Sequence, residues 1–137
     1  RIVMMGRSLG SGPSVYAASQ DKAIAGLIIE SGFLTCVKTV VRTSWTAPFD
    51  LFNNELAIRS VNQPTLVIHG ENDGVVPFYH GKQLFAIAPN AVRLVVIKNG
   101  GHNDLDTKYA VQVIESIRLF LQGLEKGETE SATATNG

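Results

Sequence analysis

Four short apolar runs, each followed by a glycine-containing turn, constrain the fold of this chain more than any other feature. They are RIVMM (1–5), AIAGLIIE (23–30), TLVIH (65–69) and VRLVVIK (92–98). Their apolar residues are consecutive and do not alternate with polar ones, which is the pattern of parallel strands buried on both faces. The sequence therefore predicts four strands of a parallel sheet.

Helical patterns follow the first, third and fourth of these runs. Residues 9–20, 78–88 and 106–122 are predicted helices, and in the last of them apolar residues recur every three or four positions. This alternation predicts an α/β fold with helices flanking a parallel sheet and ligands bound at the carboxyl ends of the strands.

Two segments do not follow the alternation. Residues 33–60 show little periodicity and are predicted to form an insertion over the carboxyl ends of the strands. Residues 123–137 are small and polar, so we expect a disordered tail after a folded domain at 1–122.

Composition excludes several classes of function. The 12 basic and 12 acidic residues balance, and no block of Lys or Arg occurs, so we expect no nucleic-acid partner. The single Cys36 excludes an internal disulfide and a thiolate metal cluster, which favours the cytoplasm or the cytoplasmic face of a membrane. No apolar stretch approaches the roughly 20 residues of a membrane span.

The first residue, Arg1, is not a methionine. We therefore expect the chain to begin partway through a longer protein. We expect membrane association only through a segment upstream of Arg1.

A G-x-S-x-G pattern follows the first apolar run directly. Gly6, Ser8 and Gly10 stand between a predicted strand and a predicted helix, where a strained turn would raise the serine hydroxyl above the sheet. Side chains at both glycine positions would collide with the strand and the helix. The Leu9 amide at the helix N-terminus could then donate to a developing oxyanion. The alternative is a glycine-rich turn whose serine caps the helix.

A serine nucleophile requires a base and a carboxylate at other strand ends. Asp73 lies four residues past the strand that ends at His69, and His102 follows the strand that ends near Lys98. The order Ser8, Asp73, His102 is the order of the triad in α/β-hydrolases. Because the serine, the carboxylate and the histidine each follow a predicted strand end, the interpretation of Ser8 as a nucleophile is favoured over its interpretation as a helix cap.

Three motifs together resemble the α/β-hydrolase superfamily of serine hydrolases. They are GRSLGSGP (6–13), HGENDGVVP (69–77) and GGHNDL (100–105), and the resemblance covers about residues 1–122. It implies that Ser8 is the nucleophile, that His102 is the general base and acid, and that Asp73 orients His102. It also implies that Leu9 supplies one oxyanion amide and that neither a metal nor an organic cofactor is needed.

The resemblance has two further implications. The chain would be the C-terminal half of a fold of about eight strands, with half of the oxyanion hole. The GHND (101–104) and IIESGF (28–33) segments are most similar to the membrane-associated branch that includes protein depalmitoylases and lysophospholipase-like lipases. That branch implies long-chain acyl thioesters as substrates.

Other titratable residues near these motifs have competing interpretations. His69 is expected to be a packed core histidine and His80 a surface residue. Glu71 is the alternative to Asp73. Asp104 and Asp106 follow His102 too closely to orient its ring and are expected to cap the last helix, with a supporting role near His102 as the alternative for Asp104.

Arg7 is expected either in solvent or against substrate. Glu30 and Ser31 either line an acyl pocket or belong to a turn. Cys36 is expected to be a small buried residue, and Gly12 to allow close helix packing.

Candidate pocket residues come from the insertion and its flanks. Ser31, Phe33 and Trp45 are the main candidates, and the other apolar side chains that would form a wall for an acyl chain are Leu34, Phe49 and Phe52. The alternative is that these side chains only pack the insertion onto the core. The sequence predicts a carboxylic ester or thioester hydrolase; the alternative is a noncatalytic scaffold that binds a ligand, which would not need all three triad residues.

Overall fold

A four-stranded parallel sheet forms the centre of the fold. The computed structural model describes residues 1–36 and 52–135. The strands are β1 (Ile2–Arg7), β2 (Ile24–Glu30), β3 (Thr65–Gly70) and β4 (Ala91–Ile97), and they lie side by side in chain order. Each neighbouring pair is parallel, and each strand begins and ends within two residues of its predicted bounds. The predicted parallel sheet is confirmed.

Helices cover the sheet on both sides. They are α1 (Ser11–Gln20), α2 (Asn54–Ala57), α3 (Tyr79–Ile87) and α4 (Ala110–Thr135), with short 3-10 turns at Ser8–Gly10 and Ile58–Ser60. Within residues 1–36 and 52–135, every helix is too short or too polar to cross a bilayer.

The consecutive apolar residues of the strands supply two separate cores. Leu27 and Ile29 of β2 face a cluster that includes Val15 of α1 and Leu84 of α3. Ile28 points to the opposite face, into a cluster formed with β3, β4 and α4. Because successive strand side chains alternate between faces, a strand buried on both sides must be apolar throughout.

The C-terminal helix differs from the prediction. It continues to Thr135, so the expected end at 122 is wrong; residues 136 and 137 lie outside the described residues. A Cβ at Gly26 of β2 would lie 2.9 Å from Leu124 Cδ1, so the helix still packs on the sheet beyond residue 122. The Glu and Lys residues that follow are strong helix formers.

The predicted insertion is described only in part. Residues 37–51 lie outside the described residues, while Asn53 caps α2 by accepting a hydrogen bond from the Leu56 amide at 2.9 Å. A Cβ at Gly12 of α1 would lie 2.7 Å from the Phe52 ring, so the predicted close packing at Gly12 is confirmed.

The turn after β1 depends on one of its two glycines. A Cβ at Gly6 would lie 2.5 Å from the Gly10 carbonyl oxygen and 2.6 Å from Ser14 Oγ, whereas at Gly10 it would meet no described atom within 4 Å. Ser8 between them has a φ of 49°, a left-handed conformation that costs energy for a residue with a side chain. The expected steric need for glycine is therefore right at Gly6 and wrong at Gly10.

This contrast gives a matched pair of variants. Gly6→Ala should lower the free energy of unfolding by roughly 1–3 kcal/mol, the usual cost of overpacking. Gly10→Ala should change it by less than about 1 kcal/mol, because its backbone is already helical and the site is open. Urea unfolding of both variants measures the difference, and equal losses would contradict this account of the turn.

Candidate active site

The Ser8 side chain points to a histidine from a distant part of the chain. Ser8 Oγ lies 3.0 Å from His102 Nε2, although the residues are 94 positions apart. Neither the 3-10 turn nor α1 has a side-chain hydrogen bond at its N-terminal cap, and Ser11 Oγ instead donates to the Ser8 carbonyl at 2.7 Å. Ser8 is therefore not the helix cap that the alternative interpretation required.

The other side of the His102 ring meets Asp73. His102 Nδ1 and Asp73 Oδ2 are 2.7 Å apart. This contact assigns the ring proton to Nδ1, which donates to the carboxylate and leaves Nε2 as an acceptor for the Ser8 hydroxyl. The structure thus brings together the three side chains that the sequence selected from three strand ends.

Backbone amides hold the Asp73 carboxylate in place. Its Oδ1 accepts hydrogen bonds from the Val75 amide at 2.9 Å and the Val76 amide at 2.7 Å, and the residue is buried. One carboxylate oxygen is therefore occupied by the loop while the other faces His102.

His69 lies behind this pair. It is fully buried, and its Nε2 donates to the Val76 carbonyl at 2.8 Å while standing 3.6 Å from Asp73 Oδ2. Burial lowers the pKa of His69 below its ordinary 6.5, so the ring is neutral near pH 7. Its position as a packed, hydrogen-bonded core histidine agrees with the interpretation of the sequence.

The acidic alternatives lie elsewhere. Glu71 Oε2 accepts from the Asn99 amide at 3.3 Å, on an exposed side chain. Asp104 Oδ2 accepts from the Gly101 amide at 2.9 Å, and Asp106 pairs with Arg7. Asp104 and Asp106 do not cap the last helix, because residues 102–109 form turns and α4 begins only at Ala110.

The prediction for His80 is also wrong. The sequence placed it at the surface, but it is fully buried on the face of α3 that packs against the sheet. Its Nδ1 accepts a hydrogen bond from the Leu34 amide at 3.1 Å. Gly81 beside it allows α3 to lie close to β3, since a Cβ there would lie 2.5 Å from the His69 ring.

A charged cluster that was not predicted from the sequence lies beside His102. Glu30 is 1% exposed and lies in register with Arg7, whose Nε is 3.2 Å from Glu30 Oε1. Burial, together with the Asp106 carboxylate, raises the pKa of Glu30 to about 7, and the Arg7 charge opposes the increase. Opposite charges at the ends of two strands that pair in parallel are the signal that could have revealed the cluster.

The candidate pocket residues are only partly described. Ser31, which has a left-handed φ of 48°, and Phe33 follow β2 with buried side chains, and Leu34 belongs to the core. Trp45 and Phe49 lie outside the described residues. Cys36, expected to be buried, is only half-buried.

Leu9, the expected oxyanion donor, lies in the 3-10 turn that leads into α1. Amides in the first turn of a helix have no partner within that helix, so they can serve a ligand. Across the described part of the chain, no three His, Cys, Asp or Glu side chains gather where they could hold a metal ion.

Comparison with known proteins shows the family of this chain. No protein-family model matches the chain. It is 30% identical over an alignment of 139 residues to the alpha/beta hydrolase domain-containing protein aho-3 of Caenorhabditis elegans, covering 99% of this chain and 40% of that protein. It is 34% identical over 121 residues to the alpha/beta hydrolase domain-containing protein 17C of Mus musculus, covering 88% and 37%. The chain belongs to the α/β-hydrolase superfamily.

The fold of this α/β-hydrolase chain agrees with solved structures. An esterase from Pyrococcus furiosus superposes with a TM-score of 0.73 at 20% sequence identity, over 89% of this chain and 53% of that chain. The chain spans about two fifths of the length of the curated relatives it matches. The predicted fold class and the predicted family are both confirmed.

The raised pKa of Glu30 predicts a pH dependence of stability. Between its ordinary value of 4.5 and about 7, the folded state holds a proton that the unfolded chain has lost, so stability falls as pH rises through this range. Glu30→Gln keeps the shape without the ionisation and should gain stability relative to the wild type as pH rises from about 4.5 to 7.

Urea unfolding at several pH values measures this trend. Glu115→Gln is the matched control, because Glu115 is exposed and Arg118 lowers its pKa. A constant difference between Glu30→Gln and wild type across the range would contradict the prediction.

Proposed function

We propose that this α/β-hydrolase cleaves carboxylic esters or thioesters through an acyl-serine intermediate. The observation that carries the proposal is the continuous contact from Ser8 Oγ to His102 Nε2 at 3.0 Å and from His102 Nδ1 to Asp73 Oδ2 at 2.7 Å. A hydroxyl, an imidazole and a buried carboxylate in this order form an activated nucleophile.

The proposed reaction has two halves. His102 Nε2 takes the Ser8 proton as Oγ attacks the acyl carbonyl, and then gives that proton to the departing alcohol or thiol. A water then attacks the acyl carbon as His102 takes its proton, the bond from the acyl carbon to Oγ breaks to release the acid, and His102 returns the proton to Ser8 Oγ. Asp73 stabilises the imidazolium in both halves, and the Leu9 amide supports the oxyanion. The chemistry requires no metal or organic cofactor.

Within this class we propose long acyl thioesters, such as acylated proteins, as the preferred substrates. The resemblance of GHND and IIESGF to the depalmitoylase branch supports this choice. Two apolar side chains in the loops of the triad are also open to solvent, with Leu9 65% and Val75 54% exposed. An acyl chain is a ligand that such side chains could contact. We further propose that the protein acts in the cytoplasm or at the cytoplasmic face of a membrane.

Active-site labelling tests the reaction class. A fluorophosphonate probe should modify wild-type protein at Ser8, and Ser8→Ala should lose both labelling and turnover, by roughly a millionfold in kcat if the triad acts as a unit. Asp73→Asn should cost about ten-thousandfold, because the ring would take the wrong tautomer.

Glu71→Gln is the matched control for Asp73→Asn. It should remain close to wild type, because Glu71 contacts the Asn99 amide and not His102. If Asp73→Asn kept wild-type turnover while Glu71→Gln lost it, the assignment of Asp73 as the carboxylate that orients His102 would be refuted. A wild-type protein that resists the probe would favour a noncatalytic binding scaffold.

The acyl preference requires a separate measurement. Turnover of matched thioesters with acyl chains of 2, 4, 8, 12 and 16 carbons should rise with chain length, because each buried CH₂ contributes about 0.8 kcal/mol. The corresponding oxygen esters serve as controls for the leaving group. Equal or faster turnover of acetyl and butyryl substrates would refute the preference for long acyl chains and would indicate a general esterase.

A further inference from the structure

The Arg7 side chain joins three segments at the carboxyl edge of the sheet. Its Nε lies 3.2 Å from Glu30 Oε1, at the end of β2. Its Nη1 lies 2.6 Å from Asp106 Oδ2, in the turns before α4. Its Nη2 donates to the His102 carbonyl at 3.1 Å. Each nitrogen of the guanidinium therefore lies within ion-pair or hydrogen-bond distance of a different residue.

The contact with His102 connects this network to the triad. Arg7 directly precedes Ser8, and it holds the backbone of the residue whose ring faces Ser8 Oγ. Within the same loop, the Gly101 amide donates to Asp104 Oδ2 at 2.9 Å, so the loop is braced internally beside His102. Movement of the His102 carbonyl would therefore change the distance between Nε2 and the nucleophile.

Glu30 is the rigid end of the network. Its side chain is 2% exposed, against 36% for Arg7 and 49% for Asp106. β2 lies between β1 and β3 in the sheet, so Glu30 has little freedom to follow the loop. Arg7 is therefore held on one side by the buried Glu30 at the end of β2 and on the other side by the more exposed Asp106 in the turns before α4.

We propose that Arg7 is a positioning residue, which holds the His102 loop against Glu30 and Asp106 and so sets the separation between His102 Nε2 and Ser8 Oγ. This inference rests on the proposed serine hydrolase function. It replaces both earlier expectations for Arg7, free exposure to solvent and contact with substrate.

The geometry requires the guanidinium and not simply a positive charge. Only arginine presents several donors in a fixed plane, so it can serve two carboxylates and a carbonyl at once. A lysine at this position could keep one ion pair but could not maintain all three contacts. Lysine should therefore restore part of the function that an uncharged side chain loses.

Arg7→Met and Arg7→Lys test the proposal in the protein that contains this chain. Arg7→Met should lower kcat and the rate of Ser8 labelling by fluorophosphonate about tenfold to a hundredfold, the scale of a small misplacement of a reacting group. KM should stay within about twofold, because substrate binding is not affected. Arg7→Lys should fall between Arg7→Met and wild type.

Arg118→Met is the matched control, since Arg118 forms an exposed ion pair with Glu115 on α4. It should retain wild-type kcat and labelling. Glu30→Gln adds a second, less disruptive perturbation of the network, and combining it with Arg7→Met should cost little more than Arg7→Met alone if the residues act as a unit. Thermal unfolding of each variant shows which of them are folded.

The outcomes separate the two proposals. A wild-type protein without labelling at Ser8 overturns the proposed function and this inference with it. Labelled wild type with an equally reactive, folded Arg7→Met overturns only the role of Arg7. A higher KM with unchanged kcat would assign Arg7 to substrate contact, which also overturns it. If Arg7→Met does not fold, a folded Arg7→Lys with wild-type kcat and labelling overturns the proposal.

Discussion

The parallel pairing of four strands is the constraint on which the rest of the structure depends. Because β1 to β4 run in the same direction in one sheet, their carboxyl ends meet at one edge. Ser8, Asp73 and His102 lie at or after the ends of β1, β3 and β4, and Glu30 is the last residue of β2. Burial of apolar side chains on both faces maintains this alignment, so the packing of the core positions the site.

Two buried carboxylates at this edge have different surroundings. Asp73 receives two backbone amides and the His102 ring, so its charge is well solvated by the protein. Glu30 has a cation on one side and another carboxylate nearby, and burial raises its pKa to about 7. One group is suited to stabilise a histidine that gains charge, and the other to anchor an arginine.

The predictions from sequence succeeded where a residue's neighbours along the chain decide its structure. The strands and the turn at Ser8 were readable because each depends on local patterns at or next to a strand end. Several of the errors concern packing between distant segments. His80 is buried because its face of α3 meets the sheet, and Asp106 binds Arg7, 99 positions earlier in the chain. The helix continues past residue 122 because Leu124 packs over Gly26.

The sequence by itself determined the α/β class, the parallel sheet and three candidate catalytic side chains, because hydrophobic periodicity and motif spacing are local properties of the chain. Only the tertiary structure decided that His102 reaches both Ser8 and Asp73, and that Asp73 and not Glu71 faces the ring. It also decided that Arg7 binds the His102 loop. These contacts depend on loop conformations and strand register, whose energies come from residues far apart in the chain.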